Sequence, residues 1–264
     1  MTIQAIDDSA SVNLKIAHIG SIASGTGFTA DNAPSTNTNI NNLVSNSRGS
    51  YYESGTADHI YDFDFEGCTA FAADFVYLGN FKSVLDRWDV STSDVRLRAD
   101  NSTAYSNTLE TNNITTSDLV GARGEDAYFT SNNSTSYTHY RVRMQTGAIN
   151  AARIRLSKLI VCKLFDFGVD PEYSLRMTQG AGLNFQRATQ KEYNFSWRGV
   201  SNDKLDTFNA LIFPYLKQTG LVFYDVNDLI FAGDQVFFGF VQEYSHNSLS
   251  GNSNQVSMTV REVV

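Results

Sequence analysis

The clearest alternation of hydrophobic and polar positions runs through Tyr193-Asn194-Phe195-Ser196-Trp197-Arg198, where aromatic residues occupy every second place. A pleated strand puts such residues on one face, so Tyr193, Phe195 and Trp197 should face a core. Ser201-Asn202-Asp203 then offers side-chain oxygens to the free amides of a first helical turn. Leu205, Phe208, Leu211, Ile212, Tyr215 and Leu216 continue at helical spacing. This predicts a helix of roughly four turns over 201–217, bent or ended by Pro214, which lacks an amide and clashes with the preceding turn. Residues 221–225, 235–241 and 255–262 read as strands of an antiparallel sheet, joined by turn-rich loops at 225–228 and 248–252.

The first half carries the period of two without a helix. Strand patterns appear at 11–19, 59–65 and 94–100, with a nearly continuous apolar run at 69–78 interrupted by Asp74. The stretch from 101 to 137 is polar, and 111–117 and 131–136 read as loops. Order returns where Tyr140, Val142 and Met144 share one face and His139, Arg141 and Arg143 the other, and 153–161 reads as the last strand. Six or seven strands over about 160 residues imply a single β-sandwich. Gly25 to Ser50 is mostly Gly, Ser, Thr and Asn, so it is loop or orders only against a neighbour. Glycine and proline between Phe165 and Tyr173 mark the junction. The fold class is mainly β: a sandwich in 1–164, followed by a second antiparallel β domain in 165–264 with one short helix.

A chain of 264 residues is long enough for two modest domains. Its 28 acidic against 20 basic side chains, net −8, disfavour a nucleic-acid partner. No apolar run is long enough to cross a bilayer, and Met1 to Asp8 lacks the basic start and apolar core of a signal segment. The chain is therefore expected to be kept inside a cell or exported by a route its sequence does not show, with no membrane insertion. Cys68 and Cys162 flank apolar strands and are expected as free buried thiols.

Candidate chemistry is sparse. Asp62 and Asp64 share a strand face, as a general acid and base pair would, or else form a solvated face opposite Tyr61, Phe63 and Phe65. His18, His59, His139 and His246 never stand at metal-ligand spacing, and Gly180-Ala181-Gly182 precedes no helix. The loop 225–234 is carboxylate-rich but lacks a recognised calcium ligand order. Neither a catalytic residue nor a resident metal or cofactor is expected, and the protein reads as no enzyme. In Asp86-Arg87-Trp88-Asp89 a tryptophan lies between charges, where it would stack on a sugar face, or else cap the sandwich or enter a subunit interface. Sequons at Asn101, Asn113, Asn133 and Asn194 read as polar loops rather than glycan sites.

Two resemblances add to the pattern. Residues from about 39 to 161 resemble discoidin-like, galactose-binding jelly-roll domains, in Asn42-Leu43 and Arg48, the run to Leu78-Gly79-Asn80, Val95-Arg96-Leu97, and the closing strands Tyr140-Arg141-Val142 and 154–161. The whole arrangement is similar to tailed-bacteriophage structural proteins that join such a sandwich to a second β-rich domain. The second half resembles tail domains in Phe195-Ser196-Trp197, the short helix, Val222-Phe223-Tyr224-Asp225, Phe238-Gly239-Phe240-Val241 and Val260-Arg261-Glu262. The resemblance implies a structural subunit of a phage tail tip, baseplate or fibre-attachment region, made in the host cytoplasm and sited in the virion. Its partners would be copies of itself and other tail proteins. The alternative is a carbohydrate-binding module or receptor-binding lectin with a host surface glycan as partner, using Asp86, Arg87 and Trp88.

Overall fold

A computed structural model of the chain describes residues 12–20, 27–31, 39–44, 51–56, 58, 60–83, 94–112, 125–145, 153–179, 189–216, 220–231 and 235–262. Its strands are antiparallel, with one short α-helix among the described residues. Two units emerge: one holds 17–164 and 211–220, the other 1–16, 165–210 and 221–264. Among the described residues no helix is long and apolar enough to cross a membrane.

Strand β1, Leu14–Ala17, lies in the sequence half read as sandwich, yet it hydrogen-bonds into the sheet of the second unit. Polar anchors fix it there: the Asp170 carboxylate accepts the amides of Asn13 and Leu14, and Asn13 Nδ2 donates to Asp225.

The sandwich unit contains β2 (Gly27–Ala30), β3 (Tyr52–Glu53), β4 (Ile60–Glu66), β5 (Phe75–Ser83), β6 (Asp94–Asp100), β7 (Asn107–Asn112), β8 (Glu125–Thr130), β9 (His139–Gln145), β10 (Ile154–Leu156) and β11 (Lys158–Cys162). One five-stranded sheet runs β2-β4-β9-β6-β7; in the other, β5 pairs β8 on one side and β10 and β11 on the other, with β3 beyond β10. Alternation decides which face is core. Tyr61, Phe63, Phe65, Val95, Leu97, Ala99, Tyr140, Val142 and Met144 are all buried, and the Phe63 ring meets Tyr52 of the other sheet edge-on at 5.3 Å.

Several expectations change in detail. The polar stretch 101–137 contains β7 and β8, and the strand foreseen from Thr69 starts at Phe75. The run 153–161 is broken at Ser157, whose amide and hydroxyl both donate to the Gly79 carbonyl. Within Gly25 to Ser50, β2 pairs along β4 and a 3-10 turn at Ile40–Val44 buries Leu43, so the described pieces order against neighbours.

In the second unit the order is β1-β14-β15-β16-β13-β12, with β12 (Glu172–Gln179), β13 (Thr189–Val200), β14 (Leu221–Asp225), β15 (Val236–Ser250) and β16 (Ser253–Glu262). The Tyr193, Phe195 and Trp197 face is core as expected. Tyr193 packs on Phe237 at 4.7 Å, Phe195 on Phe223 at 5.3 Å, and Trp197 on Phe167 at 4.8 Å, which in turn meets Phe208 of the helix at 5.1 Å. Helix α1, Asn202–Leu211, is shorter than the 201–217 expected. Ser201 Oγ caps it by accepting the Lys204 amide at 3.3 Å. Pro214, without an amide, stands in a 3-10 turn at Phe213–Tyr215 that replaces the last helical turns.

Candidate functional site

The candidate ligand loop Asp86, Arg87 and Trp88 lies outside the described residues, as do His59, Asn113, Arg48 and Gly180 to Gly182. Asp225, in the loop considered for calcium, is buried, and its oxygens accept Asn13 Nδ2 and the amides of Ile230 and Phe231. Among the described residues no group of His, Cys, Asp and Glu is arranged to hold a metal ion. Cys68 and Cys162 are free and buried, and desolvation pushes the Cys68 thiol to about 11 and Cys162 higher still.

His18 is fixed by its surroundings. It is buried, its Nδ1 accepts the Gly20 amide at 3.1 Å, and desolvation lowers its pKa to about 4 against a small opposing effect from the Lys163 backbone. An unfolded chain, titrating near 6.5, then holds more protons between those values. Stability should fall as pH drops from 6.5 towards 4, by about 3 kcal/mol in total. Urea midpoints measured across that range should show the fall in the native chain and a flatter profile in His18→Gln; equal slopes in both would reject it.

Asp62 and Asp64 are neither a free acid and base pair nor a solvated face. They stand opposite Arg143 and Arg141 across β4 and β9. Arg143 Nε and Nη2 donate to the two oxygens of Asp62 at 2.7 and 2.6 Å, and Arg141 Nε and Nη2 to those of Asp64, both at 2.7 Å. Arg141 Nη1 reaches across to Asp62 at 2.9 Å, joining the pairs into one network. Its geometry is the bidentate fork that suits guanidinium to carboxylate. The carboxylates raise the pKa of both arginines. Beyond them Arg143 and Arg141 stand opposite Arg96 and Arg98 of β6, so guanidiniums and carboxylates are interspersed across this face.

One end of the network is built around Tyr105. This residue holds φ at +46°, a conformation bulky side chains rarely adopt and one that costs energy to maintain. Its ring lies beneath the Arg141 guanidinium, 4.2 Å from carbon to centroid, while its hydroxyl donates to Glu66 at 3.2 Å. His139 meets the ring edge-on at 6.4 Å and shares a 2.8 Å hydrogen bond with Thr138 Oγ1. Nearby, the Asp100 carboxylate accepts the amides of Asn101 and Ser106 and the Ser106 hydroxyl, which closes the β6–β7 turn and lowers its pKa to about 2. The sequons serve turns and strands: Asn101 Oδ1 accepts the Thr138 amide, Asn133 donates to Ala73, and Asn194 accepts from Thr259. The Arg141 side chain is 21% exposed, and its bonds to Asp62 and Asp64 use three of its five N–H donors. The residues thus present donors and acceptors on a rigid sheet with no unpaired nucleophile among them.

The second unit carries a separate open hollow of about 470 Å³ on the polar face of its sheet, lined by Arg176, Glu192, Asn194, Glu243, Thr259 and Arg261 among others. Arg261 pairs with Glu192 at 2.8 Å. With no aromatic or aliphatic wall, it lacks the apolar lining that ordinarily drives small-molecule binding.

No family model matches the chain, and no curated protein matches it. Similar folds occur among solved structures. A Ruminococcus gnavus fucosidase of glycoside hydrolase family 29, in complex with fucose, is 10% identical with a TM-score of 0.43, over 58% of this chain and 28% of its own. The CBM32-1 and CBM32-2 domains of Clostridium perfringens ZmpB, in complex with GalNAc, are 13% identical with a TM-score of 0.41, over 56% of this chain and 34% of theirs. Chitosan-binding module 1 from a Paenibacillus chitosanase/glucanase is 14% identical with a TM-score of 0.39, over 54% of this chain and 98% of its own.

Proposed function

We propose that the protein is a non-catalytic binding subunit whose sandwich unit takes a carbohydrate on the outer face of the β2-β4-β9-β6-β7 sheet, at Arg141, Glu66 and His139. The supporting observation is Arg141, stacked on the strained Tyr105 and fixed by Asp62 and Asp64, with two N–H donors left over and its side chain 21% exposed. Vicinal sugar hydroxyls each need a donor and an acceptor at fixed spacing, and a guanidinium between carboxylates supplies both without reorganisation. Asp62 and Asp64 act here as struts for the arginine rather than as acid and base.

The test is calorimetry and a glycan array on the full chain, with fucose, N-acetylgalactosamine and chitosan oligosaccharides as probes. Arg141→Met keeps an apolar stem over Tyr105 and should weaken binding at least about tenfold, the range expected for losing one charged hydrogen-bonding group. Failure of every probe, or unchanged affinity in the folded variant, rejects the reading.

A second reading, a structural subunit of a bacteriophage tail located in the virion, draws support from β12, an edge strand among the described residues, whose exposed apolar side chains suit assembly. Co-sedimentation of the chain with DNA-filled particles at a fixed ratio is the expected result. A chain found only in the soluble fraction removes it.

A further inference from the structure

The two edges of the six-stranded sheet are finished differently. At β1 the outer edge is occupied, since Ile16 and Phe165 exchange backbone hydrogen bonds. At β12 no strand follows among the described residues. The strand is eight residues long, pairs with β13 without a bulge, and contains neither lysine nor proline; its charges, Glu172 and Arg176, are of opposite sign. Its Tyr173 and Leu175 stand opposite Phe195 and Tyr193, which places them on the core face of the sheet. There they remain 46% and 40% exposed, with Met177 at 62% and Leu229 beside Tyr173 at 68%. Among the described residues the core face thus continues past its cover onto β12.

We propose that β12 pairs antiparallel with β12 of a second copy of this chain, across a two-fold axis through Ser174. Charge selects both partner and register. With Ser174 opposite its own counterpart, Glu172 faces Arg176 of the second copy twice, and Tyr173 faces Leu175 twice on the apolar side. Centring on Arg176 instead opposes like charges, and an odd offset sets polar residues against apolar ones. Centring on Leu175 leaves Glu172 and Arg176 without charged partners. Among the described residues Glu172 pairs with Arg198 at 3.9 Å, with both side chains largely exposed, a weak tie that a closer partner can replace. The pairing makes one continuous twelve-stranded sheet and covers Tyr173 and Leu175. It holds whether or not the sandwich unit takes a sugar.

The experiment is sedimentation equilibrium of the full chain over a wide concentration range, with circular dichroism confirming the fold of each variant. The native chain should be a dimer. Glu172→Arg and Arg176→Glu should each weaken association at least about tenfold, because each turns two attractive cross-strand pairs repulsive. The double swap should restore it. Leu175→Lys, which changes no cross-strand charge pair, should also give monomer. A native chain that stays monomeric overturns the proposal, and so does a dimer that ignores both charge swaps or is not rescued by the double swap.

Discussion

Replacing Lys158 with methionine is expected to stabilise the protein, by about 2–5 kcal/mol at pH 6 and by progressively less at higher pH. Lys158 opens β11, is 2% exposed, and has its pKa lowered to about 7 by desolvation. Its stem lies against Gly79, where an added Cβ would come within 2.7 Å of Lys158 Cβ, so the site is already filled to contact. In the unfolded chain the group titrates near 10.5. Between pH 7 and 10.5 the unfolded state therefore holds more protons, and stability of the native chain should rise with pH across that window. Below 7 the folded state must carry an ammonium in its interior, and the full cost applies. Methionine fills a similar volume without a charge. Urea midpoints at pH 6, 8 and 10 should converge for the native chain and Lys158→Met as pH rises. A variant less stable at pH 6 would mean that polar neighbours already compensate the charge.

The sequence shows why that lysine was easy to miss. In Arg153 to Val161 the arginines alternate with Ile154 and Leu156 and Lys158 falls in the register of those apolar residues, but the run reads simply as one strand. The break at Ser157 divides it, and all five residues of β11 are buried. Alternation was legible where it was strong: the aromatics of β13, Asp94–Asp100, and the apolar face of β9 all stand where the pattern put them. It fails for β7, whose Asn107, Thr108 and Glu110 are polar on both faces because an edge strand needs little burial. The candidate site was half visible. Aspartates at 62 and 64 and arginines at 141 and 143 share the spacing of two, which is the signature of cross-strand ion pairs once β4 and β9 are neighbours. Pairing across that sequence separation is a matter of topology, which local pattern does not carry. Tyr105 gave no signal at all, since its role rests on a backbone conformation in a polar turn.

Removing Arg143 is expected to cost roughly 3–5 kcal/mol, because it strands a carboxylate rather than because it deletes an attraction. The Asp62 side chain is 7% exposed, and Arg143→Ala takes away two of its three guanidinium bonds, leaving only Arg141 Nη1. Asp62→Val alone strands the arginine instead, but Arg143 is 23% exposed and its head can turn to water, so the loss should be smaller. Replacing both residues with valine removes the two charges together and should recover most of the stability, since an apolar cross-strand pair suits a half-covered sheet. A double-mutant cycle on urea midpoints measures this directly; a double variant as unstable as the sum of the single ones would show that the pair acts independently. The same variant separates strut from ligand contact. With Asp62 gone, Arg141 keeps Asp64 and Tyr105 but loses its tie at Nη1. If the network exists to orient Arg141, sugar binding should weaken in a chain whose stability has returned, whereas a purely structural network would leave binding as it was.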